Sequence, residues 1–130
     1  MEDFKITIAH VKKPKQKDIN QDLQWFSKSI GLINSRDKEK SCFRIFIELL
    51  KADKGLTSDE IADFSNLTRA TIIHHIKNLI EAGIVKKDKN RYYLVARNLE
   101  GVVKKIENDL EITLRELKDV ARYLDKEIKI

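Results

Sequence analysis

The sequence predicts a mostly α-helical protein with one small β-hairpin and a long C-terminal helix. Three observations support this fold class. Apolar residues recur every three or four positions along most of the chain, two runs rich in β-branched and aromatic residues flank only two turn residues, and roughly the last 30 residues keep helical periodicity throughout. One proline and four glycines fit short loops between such elements.

Residues 1–33 form an N-terminal arm in this prediction. The run "FKITIAH" alternates apolar and polar residues, which is typical of a short half-buried strand, and such a strand needs a partner for its backbone. The lysine-rich run "VKKPKQK" then indicates a solvated linker. A helix follows from Asp18, its cap, to Gly31. Its apolar face consists of Ile19, Leu23, Phe26 and Ile30, with Trp25 beside them.

The next helix is expected over residues 37–54, between Asp37 as its opening residue and Gly55 as its stop. Apolar residues surround almost the whole helix, namely Cys42, Phe43, Ile45, Phe46, Ile47, Leu49 and Leu50. A helix that is apolar on every side is buried from more than one direction. We therefore expect one face to join the local core and another to meet an additional element.

Two further helices are closely spaced. Thr57 and Glu60 have the capping-box spacing, which predicts a short helix over about residues 58–64. Thr68 is the expected cap of the following helix, over residues 68–82. Only the run "SNL" and this cap separate the two helices, and so tight a connection indicates a helix-turn-helix.

A hairpin over residues 84–95 follows directly, because the β-rich runs "IVKKD" and "RYYLV" flank the turn residues "KN". The closing helix, over residues 98–130, is about 45 Å long at 1.5 Å per residue. We expect it to form a homodimer interface with a second copy, since it is too long to fold back completely onto so small a body. Packing onto the helix over residues 37–54 of its own chain is compatible with this. Its coiled-coil-like seam, with one polar irregularity, consists of Val103, Ile106, Leu110, Thr113, Leu117, Val120 and Leu124.

This order of elements, in residues 37–95, is that of a winged helix-turn-helix. The segment "GLTSDEIADFSNLTRATIIHHIKNLIEAGIVKKDKNRYYLV" resembles the DNA-binding domain of the ArsR and MarR groups of prokaryotic transcription regulators, and looks most like that of their archaeal relatives. The most specific part is "LTRATIIHHIKNLIEAGIV", with its Leu-Thr opening, histidine pair and "EAGIV" ending. The resemblance implies a regulator that binds double-stranded DNA at promoters, as a repressor or similar factor.

The helix over residues 68–82 is the predicted recognition helix. An exposed Ile73 suits contact with thymine methyls in a major groove. Arg69 lies in the first turn, where the helix dipole disfavours a cation, and a phosphate or guanine edge would offset that cost. Three apolar residues fall on the opposite, core-facing side, namely Ile72, Ile76 and Leu79. The predicted DNA contacts are Thr68, Arg69, Ala70, Thr71, Ile73, His74, Lys77 and Asn78.

The hairpin is the predicted wing, which reaches the flanking backbone or the minor groove. Its cations contribute affinity and salt dependence rather than sequence readout. They are Lys86, Lys87, Lys89 and Arg91. A solvated basic turn is the alternative interpretation of these residues.

The adjacent His74 and His75 do not suit one metal ion, because neighbouring helical side chains diverge by about 100°. We expect His74 to contact a base edge or phosphate and His75 to be structural. The single cysteine, Cys42, excludes an intramolecular disulfide and is expected in the core. Neither a nucleophile in a recognisable setting nor a glycine-rich phosphate loop is present, so we expect no enzyme activity, no cofactor and no metal.

Lys and Arg outnumber Asp and Glu by 26 to 21, which is compatible with a polyanionic partner without identifying one. No signal peptide is recognisable and no apolar run approaches the ~20 residues of a membrane span, so a cytoplasmic protein is expected. Two alternatives keep the fold, namely a protein–protein interaction module and a non-specific, chromatin-like DNA-binding protein. A metal-sensing switch is a third. The arm has two possible roles, in the dimer interface or in an effector pocket around Trp25 and Phe26.

Overall fold

The computed structural model describes residues 4–15, 18–34 and 36–129. It confirms the predicted fold class of a mostly helical winged helix-turn-helix with a long C-terminal helix. The elements in chain order are α1 (Ile19–Ser29), α2 (Ser41–Lys51), α3 (Ser58–Ser65), α4 (Arg69–Glu81), β1 (Val85–Asp88), β2 (Arg91–Leu94) and α5 (Leu99–Ile128).

The predicted N-terminal strand is wrong, since residues 4–15 form no regular secondary structure. Their backbone instead bonds the ends of two helices. The Lys5 N–H donates to the Glu81 carbonyl at 2.6 Å, and the Ala9 N–H donates to the Ser29 carbonyl at 2.9 Å. Carbonyls in the last turn of a helix lack intrahelical donors, so they accept these bonds and replace the partner strand that the alternating pattern required.

Helix α1 begins and ends close to its predicted limits. The Asp18 carboxylate accepts from the Asn20 N–H at 2.9 Å, as a capping residue should. The Trp25 indole N–H donates to the Val11 carbonyl at 2.8 Å, which ties the arm to this helix. Trp25 therefore positions the arm and is half-buried against it.

Helix α2 is shorter than the predicted 37–54. It begins at Ser41, yet the Asp37 carboxylate still accepts from the backbone N–H groups of Ser41, at 3.0 Å, and Cys42, at 2.9 Å. Asp37 thus caps the helix from four residues upstream. Gly55 does not end the helix, which stops at Lys51. A glycine is needed at position 55 because the Tyr93 ring packs directly on its Cα. A Cβ added there would lie 2.5 Å from the ring.

The core lies where α2, α3 and α4 pack against one another. Thr57 and Glu60 form the predicted capping box at the start of α3. Asn66, at φ +56°, makes the turn to α4, a left-handed conformation that asparagine adopts more readily than most residues. The fully buried side chains include Ile45, Phe46, Ile61, Ile72, Ile76 and Leu79.

The hairpin and α5 complete the domain. β1 and β2 pair in antiparallel register, with Val85 opposite Leu94, and Leu56 adds a single bridge to Tyr92. Helix α5 packs on the body through Val102 and Ile106, which are buried. Val102 lies outside the predicted seam, whereas Ile106 belongs to it and Leu110 packs partly against the core, so the body covers the N-terminal end of the seam.

Asp37 beside the start of α2 and His75 on α4 affect each other's pKa. Partial burial acts to raise the pKa of Asp37, but the hydrogen bonds from Cys42 and Ser41, with His75 nearby, hold it below its ordinary value. Burial lowers the pKa of His75; Asp37 opposes this, and His74 adds to it. His75 is therefore a half-buried histidine that folds more favourably in its neutral form.

We expect Ile72→Val to lower the free energy of unfolding by about 0.5–1.5 kcal/mol, because a buried methylene is lost. Ile73→Val is the matched control, since Ile72 is 0% exposed and Ile73 is 44% exposed. The control is expected to stay within about 0.5 kcal/mol of the wild type. Urea denaturation measures both, and equal losses would contradict the burial assigned to α4.

We also expect the free energy of unfolding to fall as the pH drops through about 6.5, the ordinary pKa of histidine. The unfolded chain protonates His75 at a higher pH than the folded chain does, so acid favours unfolding. A second loss follows at lower pH as Asp37, whose folded pKa is depressed, becomes protonated.

Denaturation at a series of pH values checks this expectation. His75→Gln should remove the first fall and keep the second, whereas His74→Gln should keep most of both. An unchanged profile in His75→Gln would overturn the assignment.

Candidate nucleic-acid interface

Helix α4 exposes the side on which most of the predicted DNA contacts lie. Its core side is closed by the buried Ile72, Ile76 and Leu79. The exposed residues include Ala70, Ile73, His74, Lys77 and Asn78. An apolar tip, an imidazole, an ammonium group and an amide therefore share one exposed surface.

Thr68 caps α4, as its sequence position predicted. The Thr68 hydroxyl oxygen accepts from the Thr71 N–H at 3.2 Å and donates to the Thr71 hydroxyl at 2.8 Å. Thr71 is half-buried, so it is less accessible than the other predicted contacts. These two side chains mainly fix the first turn of the helix.

Arg69 forms an ion pair that the sequence did not predict. Its guanidinium bonds the Asp59 carboxylate on α3, and both side chains are exposed. Exposed pairs of this kind contribute at most about 1 kcal/mol, so a phosphate can compete for the arginine. Asp59 lies ten residues earlier in the chain, and no local pattern indicates the pairing.

The two histidines have different environments. Their ring centroids lie 5.2 Å apart with the planes at 65°, and His74 is exposed whereas His75 is half-buried. His74 is thus available to a ligand of α4, whereas His75 is partly covered and lies near enough to Asp37 for the carboxylate to affect its pKa. Within residues 4–15, 18–34 and 36–129, no three His, Cys, Asp or Glu side chains are grouped so as to hold a metal.

The wing cations do not all lie on one surface. Lys86 pairs with Tyr93 and Lys87 with Tyr92, so the two lysines lie on opposite faces of the hairpin. The Lys87 ammonium lies 5.7 Å from the centre of the Tyr92 ring, within reach of a cation–π interaction. Lys89, at φ +59°, occupies the tip.

Arg91 is held by the body of the protein. Its guanidinium donates to the Gly55 carbonyl at 2.7 Å and to the Glu60 carboxylate at 3.0 Å. Hydrogen bonds from Thr57, first of all from its backbone N–H, and the nearby Arg91 hold the pKa of Glu60 below its usual value. Arg91 thus fixes the hairpin against the start of α3, which its sequence position did not reveal.

A cavity of about 490 Å³ lies behind the wing, between the hairpin and the end of α2. Lys86 and Tyr93 line it together with Asp53 and Arg97. Arg97 was not among the predicted contacts. The available signal was a cation three residues after the second strand.

Cys42 is buried at the start of α2, as predicted. Burial first of all, with the nearby Asp37 carboxylate, raises the pKa of the thiol to about 12. The thiol therefore stays protonated near neutral pH and lacks the thiolate on which cysteine reactivity depends.

No helix in the described ranges is long and apolar enough to cross a lipid bilayer. Residues 44–86 match the family model described as winged helix-turn-helix DNA-binding. Comparisons with curated proteins and with solved structures gave no match. The matched residues run from within α2 to the start of β1, so they contain the exposed surface of α4. The chain therefore contains a winged helix-turn-helix fold, and residues 44–86 of it are similar to winged helix-turn-helix DNA-binding domains.

Proposed function

We propose that the protein is a homodimeric transcription regulator that binds double-stranded DNA in a sequence-specific manner. In this proposal α4 lies in the major groove and the hairpin lies along the flanking backbone or minor groove. The exposed surface of α4 carries the proposal, because Ile73, His74 and Lys77 stand opposite a buried core side within the segment that matches a DNA-binding family.

The chemistry of α4 suits a major groove. Ile73 offers an apolar contact for a thymine methyl, and Lys77 offers a cation for a guanine edge or a phosphate. His74 can donate to a base acceptor or a phosphate from its exposed position. A mixture of apolar and polar contacts on one surface distinguishes base sequences, whereas lysines alone would bind any phosphate backbone.

Arg69 contributes through an exchange of partners in this proposal. In the free protein it pairs with Asp59, and on DNA it would move to a phosphate or guanine. The approaching phosphate also meets the Asp59 carboxylate, which opposes it. Where the acceptor is a guanine edge, duplexes that lack a guanine at that position bind less well, which adds to discrimination.

The hairpin supplies affinity through Lys87 and Lys89, with Lys86 on its other face. Arg91 acts indirectly by fixing the hairpin to Gly55 and Glu60. The charge distribution agrees with this role. From Glu100 to the last residue there are eight acidic and seven basic residues, so these charges nearly balance. The basic surplus of the chain therefore lies before α5.

Residues 1–33, 37–95 and 98–130 divide these tasks among an arm, a DNA-binding domain and a dimerisation helix in this proposal. The exposed apolar residues of α5 support self-association, since a monomer would leave them in water. The likeness of the recognition helix to ArsR and MarR regulators supports a role at promoters.

Selection of duplexes from a random pool, followed by sequencing, tests the proposal. We expect a two-fold symmetric motif, and we expect His74→Ala to relax the preference at one or two positions, at a cost of about 1–3 kcal/mol each. Lys126→Ala, on the far end of α5, is the control and should leave the motif unchanged. Equal binding of all duplexes would support the chromatin-like alternative, and no binding would support a protein-interaction module.

A hairpin that contacts the DNA backbone would make the affinity for DNA depend more steeply on salt concentration. We expect Lys87→Ala and Lys89→Ala each to weaken binding to all duplexes about equally and to reduce the slope of log K against log [salt] by up to about 1. Titrations at several salt concentrations measure this slope. A slope that stays at the wild-type value in both variants would place the wing away from the DNA.

A further inference from the structure

Helix α5 leaves the body of the protein after its first turns. Its C-terminal part carries large apolar side chains that are about half or more exposed to solvent, namely Leu114 at 54%, Leu117 at 60%, Val120 at 57%, Tyr123 at 57%, Leu124 at 48% and Ile128 at 61%. A row of exposed apolar residues of this kind marks a surface to which another molecule binds. The occupant and its orientation follow from the spacing of the residues.

A second apolar row runs along this part of α5 and overlaps the seam predicted from sequence. Spacings of four and three residues connect Leu110, Leu114, Leu117, Ala121, Leu124 and Ile128 without a polar interruption. Thr113 and Val120, which the predicted seam included, lie beside this row. The Thr113 hydroxyl donates to the Asp109 carbonyl at 3.1 Å within the helix, so it has a partner without a second chain.

The body and the exposed part of the seam occupy different lengths of α5. Val102 and Ile106 pack on the body and Leu110 lies partly against it, whereas Leu114, Leu117, Leu124 and Ile128 are exposed beyond these turns. A second helix can therefore lie along this part of the seam without displacing the body of its own chain.

One column of charges flanks the seam and alternates in sign every seven residues. It consists of Lys104, Glu111, Lys118 and Asp125. In a parallel pair this column would face the column of Ile106, Thr113, Val120 and Glu127, which offers it no alternating charges. In an antiparallel pair the charged column faces its own copy.

We propose that the occupant is α5 of a second copy of this chain, antiparallel, in the register that places Leu114 against the partner's Leu117. This inference rests on the homodimer in the proposed function and specifies its geometry. Glu111 then lies beside the partner's Lys118, and Lys104 lies beside the partner's Asp125. Two-fold symmetry repeats both, so all four neighbouring pairs are of opposite charge.

Neighbouring registers are disfavoured by the same column. A shift of one heptad in one direction places Glu111 beside the partner's Asp125 and Lys118 beside the partner's Lys118. A shift in the other direction places Glu111 beside the partner's Glu111 and Lys104 beside the partner's Lys118. Like charges at such sites destabilise helix pairs, so one register is selected.

The ends of the proposed pair fit a groove that is already present. An open groove of about 640 Å³ is lined by Ile8 of the arm and by Val103, Leu110 and Leu114 of α5, with Glu107 also in its wall. The proposed register brings the partner's Leu124 and Ile128 to this groove. Ile8 is an exposed apolar residue in the single chain, and the partner helix would cover it.

The intrahelical ion pairs of these residues do not oppose the assignment. The Glu111 carboxylate lies 3.6 Å from the Arg115 guanidinium, and the Lys104 ammonium lies 3.9 Å from the Glu100 carboxylate. All four side chains are largely exposed, and exposed pairs one helical turn apart are weak enough to be shared with a partner.

Charge reversal at two positions tests the register in the full-length protein. Lys118→Glu alone and Glu111→Lys alone each create two like-charge pairs across the interface. We expect each variant to raise the dimer dissociation constant on the order of tenfold at low ionic strength. Lys126→Glu makes the same charge change on the outer side of α5, and we expect its dissociation constant to stay at the wild-type value.

Mixing the two variants gives the decisive result. The Lys118→Glu chain carries glutamate at positions 111 and 118, and the Glu111→Lys chain carries lysine at both. Every cross-pair between the two chains is therefore of opposite charge. Random exchange of subunits would make half of all dimers heterodimers, and we expect the heterodimer fraction to exceed this half. Sedimentation equilibrium measures the dissociation constants, and native mass spectrometry measures the heterodimer fraction. The double variant Glu111→Lys with Lys118→Glu should restore the wild-type constant.

Failure of the register and failure of the proposed function give different results. A wild-type dimer whose variants mix at random overturns the register and leaves the homodimer intact. A wild-type monomer overturns both the register and the homodimer. DNA selection by the same wild-type protein then decides, separately, whether α4 recognises DNA.

Discussion

The burial of Ile72, Ile76 and Leu79 determines which side of α4 faces solvent. These residues lie in the centre of the three-helix core, so rotation of α4 about its axis would expose them and bury charged or polar groups. The position of Ile73, His74 and Lys77 on the outer surface follows from that constraint. The chemistry of the interface thus depends on apolar contacts that never touch a ligand.

The remaining contacts hold neighbouring elements around this helix. The arm bonds the Glu81 carbonyl at its end, Asp37 lies near His75 on its flank, and Arg91 ties the hairpin to the start of α3. Each contact connects segments far apart in sequence. They surround α4 with fixed neighbours, so that the hairpin and the exposed surface of α4 keep one relative position.

Local signals predicted much of this architecture. The capping box at Thr57, the cap at Thr68 and the hairpin turn depend on residues within four positions of one another, and all three formed where expected. The N-terminal strand failed because an alternating pattern specifies exposure and not a partner. The segment found its hydrogen bonds at helix ends, which no periodicity reveals.

Long-range pairing accounts for what the sequence could not predict in the site. Arg69 and Arg91 were expected to face DNA because both are cations near the proposed interface. Asp59 and Glu60 come close to them only after the chain has folded. The α5 seam stays a prediction, since two overlapping apolar rows share Leu110 and Leu117, and exposed apolar residues belong to both rows.

The proposed pairing of α5 also sets the distance between the two DNA-binding domains. In that register Ile106 of one copy lies level with Asp125 of the second copy, and Val102 lies level with Lys129. The two bodies would therefore contact the pair roughly 35 Å apart along the helix axis, at 1.5 Å per residue. One turn of B-DNA spans about 34 Å, so this separation corresponds to about one turn. A dimer of these dimensions would present its two α4 helices to successive major grooves on one side of a straight duplex.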